Sequence, residues 1–289
     1  MKLNHNKKSV KISLNLFALY AVMVCGIVFA LPAFAAAKPS FSKDETVYAV
    51  MAPDGSVTST TVSAHLYNAA GLSGVTDRST LTDIVNTESD AAFTQNGDSL
   101  TWDTTDTDVY YKGNTSRALP VSAAVTYTLD GETAPLENLL GKSGHLAIRI
   151  DLTNNETGTV TVNGAERTVV TPFITAVGVV LGEDASNVTL EHGLLERAAK
   201  STVAAFVTLP GVRGALSGLL PDSFSAAEDY LQDSVTVEAD VENLSAPQIL
   251  LASAASAEAL GQDNVFDLSS IHSLTDGISQ LNDAMQQLL

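Results

Sequence analysis

Residues 145–152 read HLAIRIDL, and the large apolar side chain at every second position of this stretch decides the fold class. Residues 121–129, VSAAVTYTL, repeat the alternation with apolar side chains at the odd-numbered positions. Successive side chains of a β-strand point to opposite faces, so each stretch has one apolar side. The two-residue period therefore predicts half-buried strands that pack on a core.

Turn dipeptides separate further runs rich in Val, Thr, Ile, Tyr and Phe. Asp-Gly and Asn-Gly tolerate the positive φ angles of tight hairpins, so each marks a hairpin between two strands. Many short strands at a spacing of about 8–12 residues are typical of sandwiches or barrels. The predicted hairpin turns are Asp54-Gly55, Asn96-Gly97, Asp130-Gly131 and Asn163-Gly164.

The segment from 166 to 220 has a less regular pattern. Residues 169–181 are read as two strands split by Pro172, because proline lacks a donor for the strand ladder. Residues 204–209 predict another strand and 212–220 a short helix, while 134–141, with Pro135 near its start, predicts one or two helical turns. Residues 235–241 alternate again and are expected to close the β region.

The first 35 residues have the three parts of a secretory signal peptide. Four lysines precede an apolar run from 14 to 35, which ends in Ala33-Phe34-Ala35 as a signal peptidase site requires. The alternative is an uncleaved anchor, since the run is long enough to span a bilayer. In both interpretations the remaining chain is exported, and Cys25, the only cysteine, lies in the signal.

The exported part is strongly acidic. All 33 acidic residues and 11 of the 15 basic residues follow residue 35, which gives that part a net charge of −22. This charge repels phosphate backbones and anionic lipid headgroups, so nucleic-acid binding is not expected. We interpret the charge as a source of solubility outside the cell; binding of cations or of a basic partner is the alternative.

The hydrophobic period changes near the C-terminus. Residues 246–265 are rich in Ala and Ser and predict a linker or a loosely packed helix. Residues 266–289 then predict the start of a coiled-coil helix, since apolar residues recur at intervals of three and four. The pattern continues to Leu289, so the chain is interpreted as part of a longer coiled-coil protein; a terminal helix packed on the sandwich is the alternative. The heptad residues are Ile271, Leu274, Ile278, Leu281, Met285 and Leu288.

Known catalytic motifs are missing from the sequence. Gly141-Lys142-Ser143 matches the end of the phosphate-loop motif G-x-x-x-x-G-K-[ST]. Leu136, however, occupies the position of the first glycine of that motif, and a strand follows where a helix is required. No H-E-x-x-H, Cys/His ligand set or G-x-S-x-G elbow occurs, and Glu191-His192-Gly193 is interpreted as a hairpin turn. The sequence thus predicts a non-catalytic protein without a cofactor.

One acidic loop follows Trp102. Asp103, Asp106 and Asp108 offer oxygen ligands of the kind that Ca²⁺ binds, so a calcium site is one interpretation. Their spacing differs from that of an EF-hand loop, and a solvated loop between strands is the interpretation we prefer. The aromatic residues around it, Trp102 and Tyr110-Tyr111, are expected in the core or in cross-strand pairs.

Several short motifs together resemble a family of uncharacterised envelope proteins of Gram-positive bacteria. In that family a β-rich N-terminal region precedes Leu-x-x-Gly heptad repeats, and Leu274-Thr275-Asp276-Gly277 resembles the first repeat. The similarity covers about residues 43–289, but most of the repeats and a C-terminal transmembrane helix are missing from this sequence. The family implies no activity and no catalytic residues. The motifs are KDETVY at 43–48, DVYYKG at 108–113, LPV at 119–121, YTLDG at 127–131, GKSG at 141–144 and PF at 172–173.

The sequence predicts a mainly β protein with two tandem β-sandwich-like units, 38–118 and 119–245, followed by a C-terminal coiled-coil helix. We expect an exported cell-envelope protein with a structural or adhesive role, which associates with itself or with another envelope protein through the coil. Membrane contact is expected only through the N-terminal segment or a missing C-terminal anchor. An extracytoplasmic sensor or accessory subunit of an export system is the alternative, and a carbohydrate-active enzyme with two facing carboxylates is a minor one.

Overall fold

The computed structural model describes residues 41–162, 164–197, 200–216 and 231–255. Two predictions lie outside the described residues: the signal peptide at 1–35, with Cys25, and the coiled coil at 266–289. Within the described ranges there is no helix with the length and apolar character that a bilayer crossing needs.

The described chain is mostly β, as the alternating patterns predict. Every strand pair within the described ranges is antiparallel. The chain divides between Ala118 and Leu119 into two compact units, each with its own buried core.

The first unit contains a four-stranded and a three-stranded sheet. The four-stranded sheet has the order β1-β2-β7-β4 and the three-stranded sheet the order β3-β6-β5. The strands are β1 Ser42–Met51, β2 Val57–Tyr67, β3 Val75–Arg78, β4 Thr82–Asn86, β5 Phe93–Asn96, β6 Ser99–Trp102 and β7 Asp108–Asn114.

Alternate residues of both sheets meet in one core in this unit. Trp102 of β6 is fully buried, with its ring centroid 5.0 Å from that of Phe93 and 5.5 Å from that of Tyr111. Burial of a large apolar side chain contributes about 1.5–3 kcal/mol, so the burial of this cluster stabilises the unit. The buried members are Val62, Ala64, Leu66, Leu72, Val75, Leu81, Leu100, Trp102, Val109 and Tyr111.

The second unit contains a five-stranded sheet, a four-stranded sheet and a separate hairpin. Their orders are β14-β17-β10-β8-β9, β15-β16-β13-β18 and β11-β12. A 3-10 helix, Leu136–Asn138, and a short α-helix, Val212–Ala215, match the two predicted helical segments. The strands are β8 Val121–Leu129, β9 Glu132–Thr133, β10 Gly144–Asn154, β11 Thr157–Val162, β12 Ala165–Val170, β13 Phe173–Leu181, β14 Ala185–Leu190, β15 Leu194–Arg197, β16 Thr202–Thr208, β17 Ser234–Val241 and β18 Gln248–Ala255.

Strand β10 contains the alternating stretch 145–152 and lies between β8 and β17. Its large apolar residues, Leu146, Ile148, Ile150 and Leu152, are buried, while the residues between them are less buried. Ile148 is opposite Tyr127 on one side and Val237 on the other, and all three are buried. The prediction of a strand with one buried side is confirmed for both β8 and β10.

Strand β13 is buried on both faces. Val177 and Val179 belong to the main core of the unit, whereas Ala176 and Val180 join Val203 in a second buried cluster. Such a strand reads as a continuous apolar run, which is why periodicity alone does not define it. The break that Pro172 predicts is confirmed, because β12 ends at Val170 and β13 begins at Phe173.

The hairpin dipeptides also lie where the sequence predicts. Strands β1 and β2, β5 and β6, and β8 and β9 pair across three of them, and β11 pairs with β12 across the fourth. Gly55 and Gly131 have φ angles of 87° and 84°, which glycine adopts without strain.

Two expectations about connections were wrong. The linker predicted at 246–265 contains strand β18, Gln248–Ala255. Ile249 and Leu251 of this strand pack against the main core, and its backbone pairs with β13. The supposed hairpin turn at 191–193 instead joins two sheets, since β14 pairs with β17 and β15 pairs with β16.

Candidate functional site

The first unit contains a partly buried ionic cluster made of Lys43, Glu45, Asp77 and Tyr111, which we call the Lys43 cluster. Lys43 and Glu45 lie two positions apart on β1, so their side chains share one face of the strand. Asp77 lies on β3 of the other sheet, and Tyr111 lies on β7. The cluster therefore links the two sheets of this unit.

Short polar contacts surround the ammonium group of Lys43. Its Nζ lies 3.0 Å from Oδ1 and 2.9 Å from Oδ2 of Asp77, and 2.9 Å from Oε1 of Glu45. It also donates to the carbonyl oxygen of Arg78 at 3.1 Å. The hydroxyl of Tyr111 donates to Oδ2 of Asp77 at 2.5 Å, which makes the Asp77 carboxylate a shared acceptor.

Burial differs strongly within the cluster. The side chain of Asp77 is only 4% exposed and that of Lys43 is 20% exposed, whereas Glu45 faces solvent. Charged groups are rarely buried unless they are paired, because leaving water costs several kcal/mol per ion. Asp77 and Lys43 can therefore be buried only because each neutralises the charge of the other.

The environment shifts the pKa of two members of the cluster. Burial alone lowers the pKa of Lys43, but hydrogen bonds to Glu45, Asp77 and Tyr111 outweigh burial and raise the pKa well above its usual range. Burial and the hydrogen bond to Asp77 raise the pKa of Tyr111 to about 12. At neutral pH Lys43 is therefore an ammonium ion and Tyr111 a neutral hydroxyl donor.

From the sequence, Tyr111 was expected in the core or in a cross-strand pair, but Lys43 and Glu45 were given no role and Asp77 was not singled out. One signal was available. In the run Val75-Thr76-Asp77, the carboxylate occupies the same inward face as the buried Val75, where a charged residue is unusual. The sequence did not indicate the partner of Asp77, because Lys43 lies 34 positions away.

The acidic loop after Trp102 does not gather its three carboxylates around one point. Asp103 accepts from Ser73 at 3.1 Å, Asp106 accepts from Thr104 at 2.9 Å, and Asp108 lies 2.8 Å from His65. In the part of the chain that the structure describes, no group of three His, Cys, Asp or Glu residues is close enough to hold a metal ion. Each of the three carboxylates instead has its own partner.

His65 forms a second polar contact on the outer face of the four-stranded sheet. Its ring stacks on Tyr110 at a centroid distance of 4.2 Å with planes only 2° apart. Asp108 accepts from Thr107 at 2.6 Å and from His65, and these hydrogen bonds lower the pKa of its carboxyl group. The expected cross-strand pairing of the aromatic residues is confirmed for Tyr110, whose partner in the ladder is His65.

The second unit has an exposed cluster around His145 on β10. Its Nδ1 lies 3.0 Å from Asp240, which raises the pKa of the imidazole. Asn187 donates to the same carboxylate at 2.8 Å, and together these contacts lower the pKa of Asp240. All of these side chains are open to solvent, so the cluster is a surface ion pair.

Strand β1 also forms an apolar edge. It ends the strand order of its sheet, so no strand of the described ranges pairs with its outer side. Of the nine large apolar side chains that are exposed on described residues, five lie on β1 or β2, which concentrates apolar surface on this hairpin. They are Val47, Tyr48, Val50, Val57 and Tyr67.

Comparisons with known proteins add little to this geometry. No family model matches the chain, and no curated protein matches it. Among solved structures, it is similar to the yeast delta-COP-I mu-homology domain complexed with a Dsl1 WxWxV peptide, at 8% identity and a TM-score of 0.33, over 72% of this chain and 79% of that chain. The yeast delta-COP-I mu-homology domain alone is similar at 8% identity and a TM-score of 0.36, over 72% and 78%. These likenesses are too weak to bear on fold or function.

Proposed function

We propose that this chain is a non-catalytic, exported module of the cell envelope with a structural or adhesive role, and that it associates with a second copy of itself through strand β1. The observation that carries the proposal is the outer side of β1, which pairs with no described strand and whose second half exposes Val47, Tyr48 and Val50. A long edge strand presents a row of free N–H and C=O groups, which is a template for pairing with another chain. Association through the coil expected at 266–289 would raise the effective concentration of one copy near the other.

The order of residues along β1 favours pairing with a second copy in the antiparallel direction. All three charged residues lie at positions 43–45, and positions 46–51 are uncharged. In a two-fold pairing centred on Val47, Asp44 is opposite Val50 and Glu45 is opposite Ala49. A parallel, in-register pairing would instead place like charges directly opposite each other, which is destabilising.

A charge at the centre of this edge tests the proposed association. In the centred register Val47 meets its own copy, so Val47→Lys places two ammonium groups face to face and should weaken self-association about tenfold or more. Val85→Lys is the matched control, because Val85 is 52% exposed against 49% for Val47 and lies on β4 at the opposite edge of the same sheet. Sedimentation equilibrium over a range of concentrations measures both.

Two results would contradict this surface. A wild-type chain that stays monomeric at high concentration would exclude self-association. A dimer that Val47→Lys and Val85→Lys weaken equally, or not at all, would place the contact elsewhere on the chain.

Export is tested separately. If residues 1–35 are a cleaved signal, N-terminal sequencing of the chain from the extracytoplasmic fraction should begin at residue 36. A chain that keeps Met1 and partitions with membranes would support the anchor instead. A chain found only in the cytosolic fraction would contradict the envelope role.

A further inference from the structure

The first unit has no disulfide bond, the cross-link that small exported domains commonly use. Its described part, residues 41–118, contains no cysteine, and the only cysteine of the chain is Cys25. Domains of this size often depend on disulfides outside the cell, because a small core supplies limited stability. The Lys43 cluster lies between the two sheets of this unit, where a cross-link would be most effective.

The cluster presents an amine and a carboxyl group in reacting distance. Nζ of Lys43 lies within 3.0 Å of both oxygens of Asp77, so the carboxyl carbon between these oxygens is also close to the nitrogen. Reactive groups held about 3–3.5 Å apart, once their orbitals are aligned, behave as near-attack pairs with very high effective molarity. The almost complete burial of Asp77 and Tyr111 keeps bulk water away from the carbon.

We propose that Lys43 and Asp77 condense spontaneously into an amide cross-link between β1 and β3, assisted by Glu45 and Tyr111. The reaction goes beyond the proposed structural role, since it is a covalent step that the chain carries out on itself once. It needs no oxidant, cofactor or second protein.

The atoms of the reaction balance within the cluster. The ammonium group gives one proton to the Glu45 carboxylate 2.9 Å away and becomes an amine. The nitrogen lone pair then bonds to the carboxyl carbon of Asp77, and the charge that builds on Oδ2 is stabilised by the Tyr111 hydroxyl. In the resulting adduct the nitrogen loses a second proton. This proton and the one that Glu45 returns are both transferred to Oδ1, which then leaves as water. One N–H remains on the new amide.

Burial favours the amide over the free ions. In water, hydrolysis products of an amide are stabilised because the ammonium and carboxylate are well solvated. Inside the unit these charges lose their hydration, whereas a neutral amide loses far less. Release of water to the solvent then drives the condensation.

The protonation states of Lys43 and Tyr111 before the reaction explain why two assisting groups are required. Lys43 is held as an ammonium ion, which is not a nucleophile, so an acceptor for its proton is needed. Outside the reacting pair, Glu45 lies 2.9 Å from Nζ, so it is placed to take this proton and to return it to the departing oxygen. Tyr111 stays protonated and keeps its donor directed at Asp77.

Mass spectrometry of the full chain tests the proposal directly. After folding, the intact mass should be lower than the sequence mass by one water molecule. Trypsin does not cleave after an acylated lysine, so Lys43 and Asp77 should remain in one peptide that has lost one water. A wild-type chain with the full sequence mass after prolonged incubation in the folded state would overturn the proposal.

A replacement at Lys43 separates the cross-link from other losses of water. Lys43→Arg keeps a cation beside Asp77 but removes the primary amine, so the chain should regain the full sequence mass. Lys112→Arg is the control, because Lys112 is exposed on β7, and this variant should keep the deficit. A water lost as a succinimide at Asp54-Gly55 would persist in Lys43→Arg, and that result would overturn the assignment.

Two further variants test the assisting groups. Tyr111→Phe and Glu45→Gln should slow the appearance of the cross-linked mass after refolding by roughly a hundredfold or more, since positioned proton donors and acceptors contribute about 10²–10⁴ in rate. Asp44→Asn, on the opposite face of β1, should leave the rate unchanged. Equal rates in all three variants would remove Glu45 and Tyr111 from the reaction.

Discussion

Replacement of Leu66 by alanine is the most direct test of the core of the first unit. Leu66 is fully buried on β2, opposite Lys43 on β1 and Val109 on β7. The change removes three buried carbon atoms and leaves a cavity, for which Leu→Ala substitutions in cores cost about 3 kcal/mol. Single domains unfold with about 5–15 kcal/mol, so this loss is a large fraction of the stability.

The fluorescence of Trp102 reports this transition selectively. It is the only tryptophan in the chain and belongs to the same buried cluster as Leu66. With a urea m-value of about 1 kcal/mol per M for a unit of this size, the midpoint should fall by about 3 M in Leu66→Ala. Val85→Ala, at an exposed position of the same unit, should change the free energy of unfolding by less than about 0.5 kcal/mol.

The comparison between these two variants decides the result. A loss below about 1 kcal/mol in Leu66→Ala, or a loss equal to that of Val85→Ala, would show that Leu66 does not lie in a packed core. The arrangement of the two sheets around Trp102 would then be wrong.

Asp240→Asn should lower the pKa of His145 toward its usual value, and an NMR titration of the imidazole protons measures this; an unchanged pKa would contradict the ion pair. Because the pKa of His145 is raised in the folded protein, its contribution to stability is present below the usual pKa of histidine and is lost as the pH rises through the raised value. Gly193→Ala should destabilise the second unit by about 3 kcal/mol in thermal melts followed by circular dichroism, since a Cβ there would collide with the carbonyl oxygen of Ala205. Gly164→Ala, also at positive φ but in open space, should cost only about 1 kcal/mol, and equal costs would contradict the close approach at Gly193.

The strands that the sequence predicts best are those buried on one face. In β8 and β10 the core selects every second residue, so periodicity alone locates the strands and their inward faces. Glycine dipeptides locate the hairpins for an equally local reason, since positive φ is a property of the turn residues themselves. Both signals lie within about ten residues of sequence.

The missed features depend on partners far away in the sequence. Strand β18 is rich in Ala and Ser, which have little preference for strands, and it forms because β13 offers an apolar edge for Ile249 and Leu251. Residues 191–193 have the composition of a hairpin turn, and only the pairing of β15 with β16 shows that they join two sheets.

The Lys43 cluster was hidden for the same reason. Each member is ordinary in its own segment, and the inward position of Asp77 gives the only local sign of a buried ion. Its partners lie on two other strands, and pairing across sheets has no periodic signature. Sequence reasoning therefore predicted the scaffold and missed the site that the scaffold builds.

The position of Lys43 would have a mechanical consequence if this chain were held at the cell surface, as we propose. Because β1 is both the first described strand and the edge of its sheet, tension applied ahead of Phe41 would peel β1 from β2 one hydrogen bond at a time, the weakest geometry for a sheet under load. Lys43 is bound to Asp77 within the first two residues of that strand. A force applied from this end would therefore load the Lys43–Asp77 contact between the two sheets before it loads the hydrogen bonds between β1 and β2. This order would make the unit more resistant to extension from its N-terminal end.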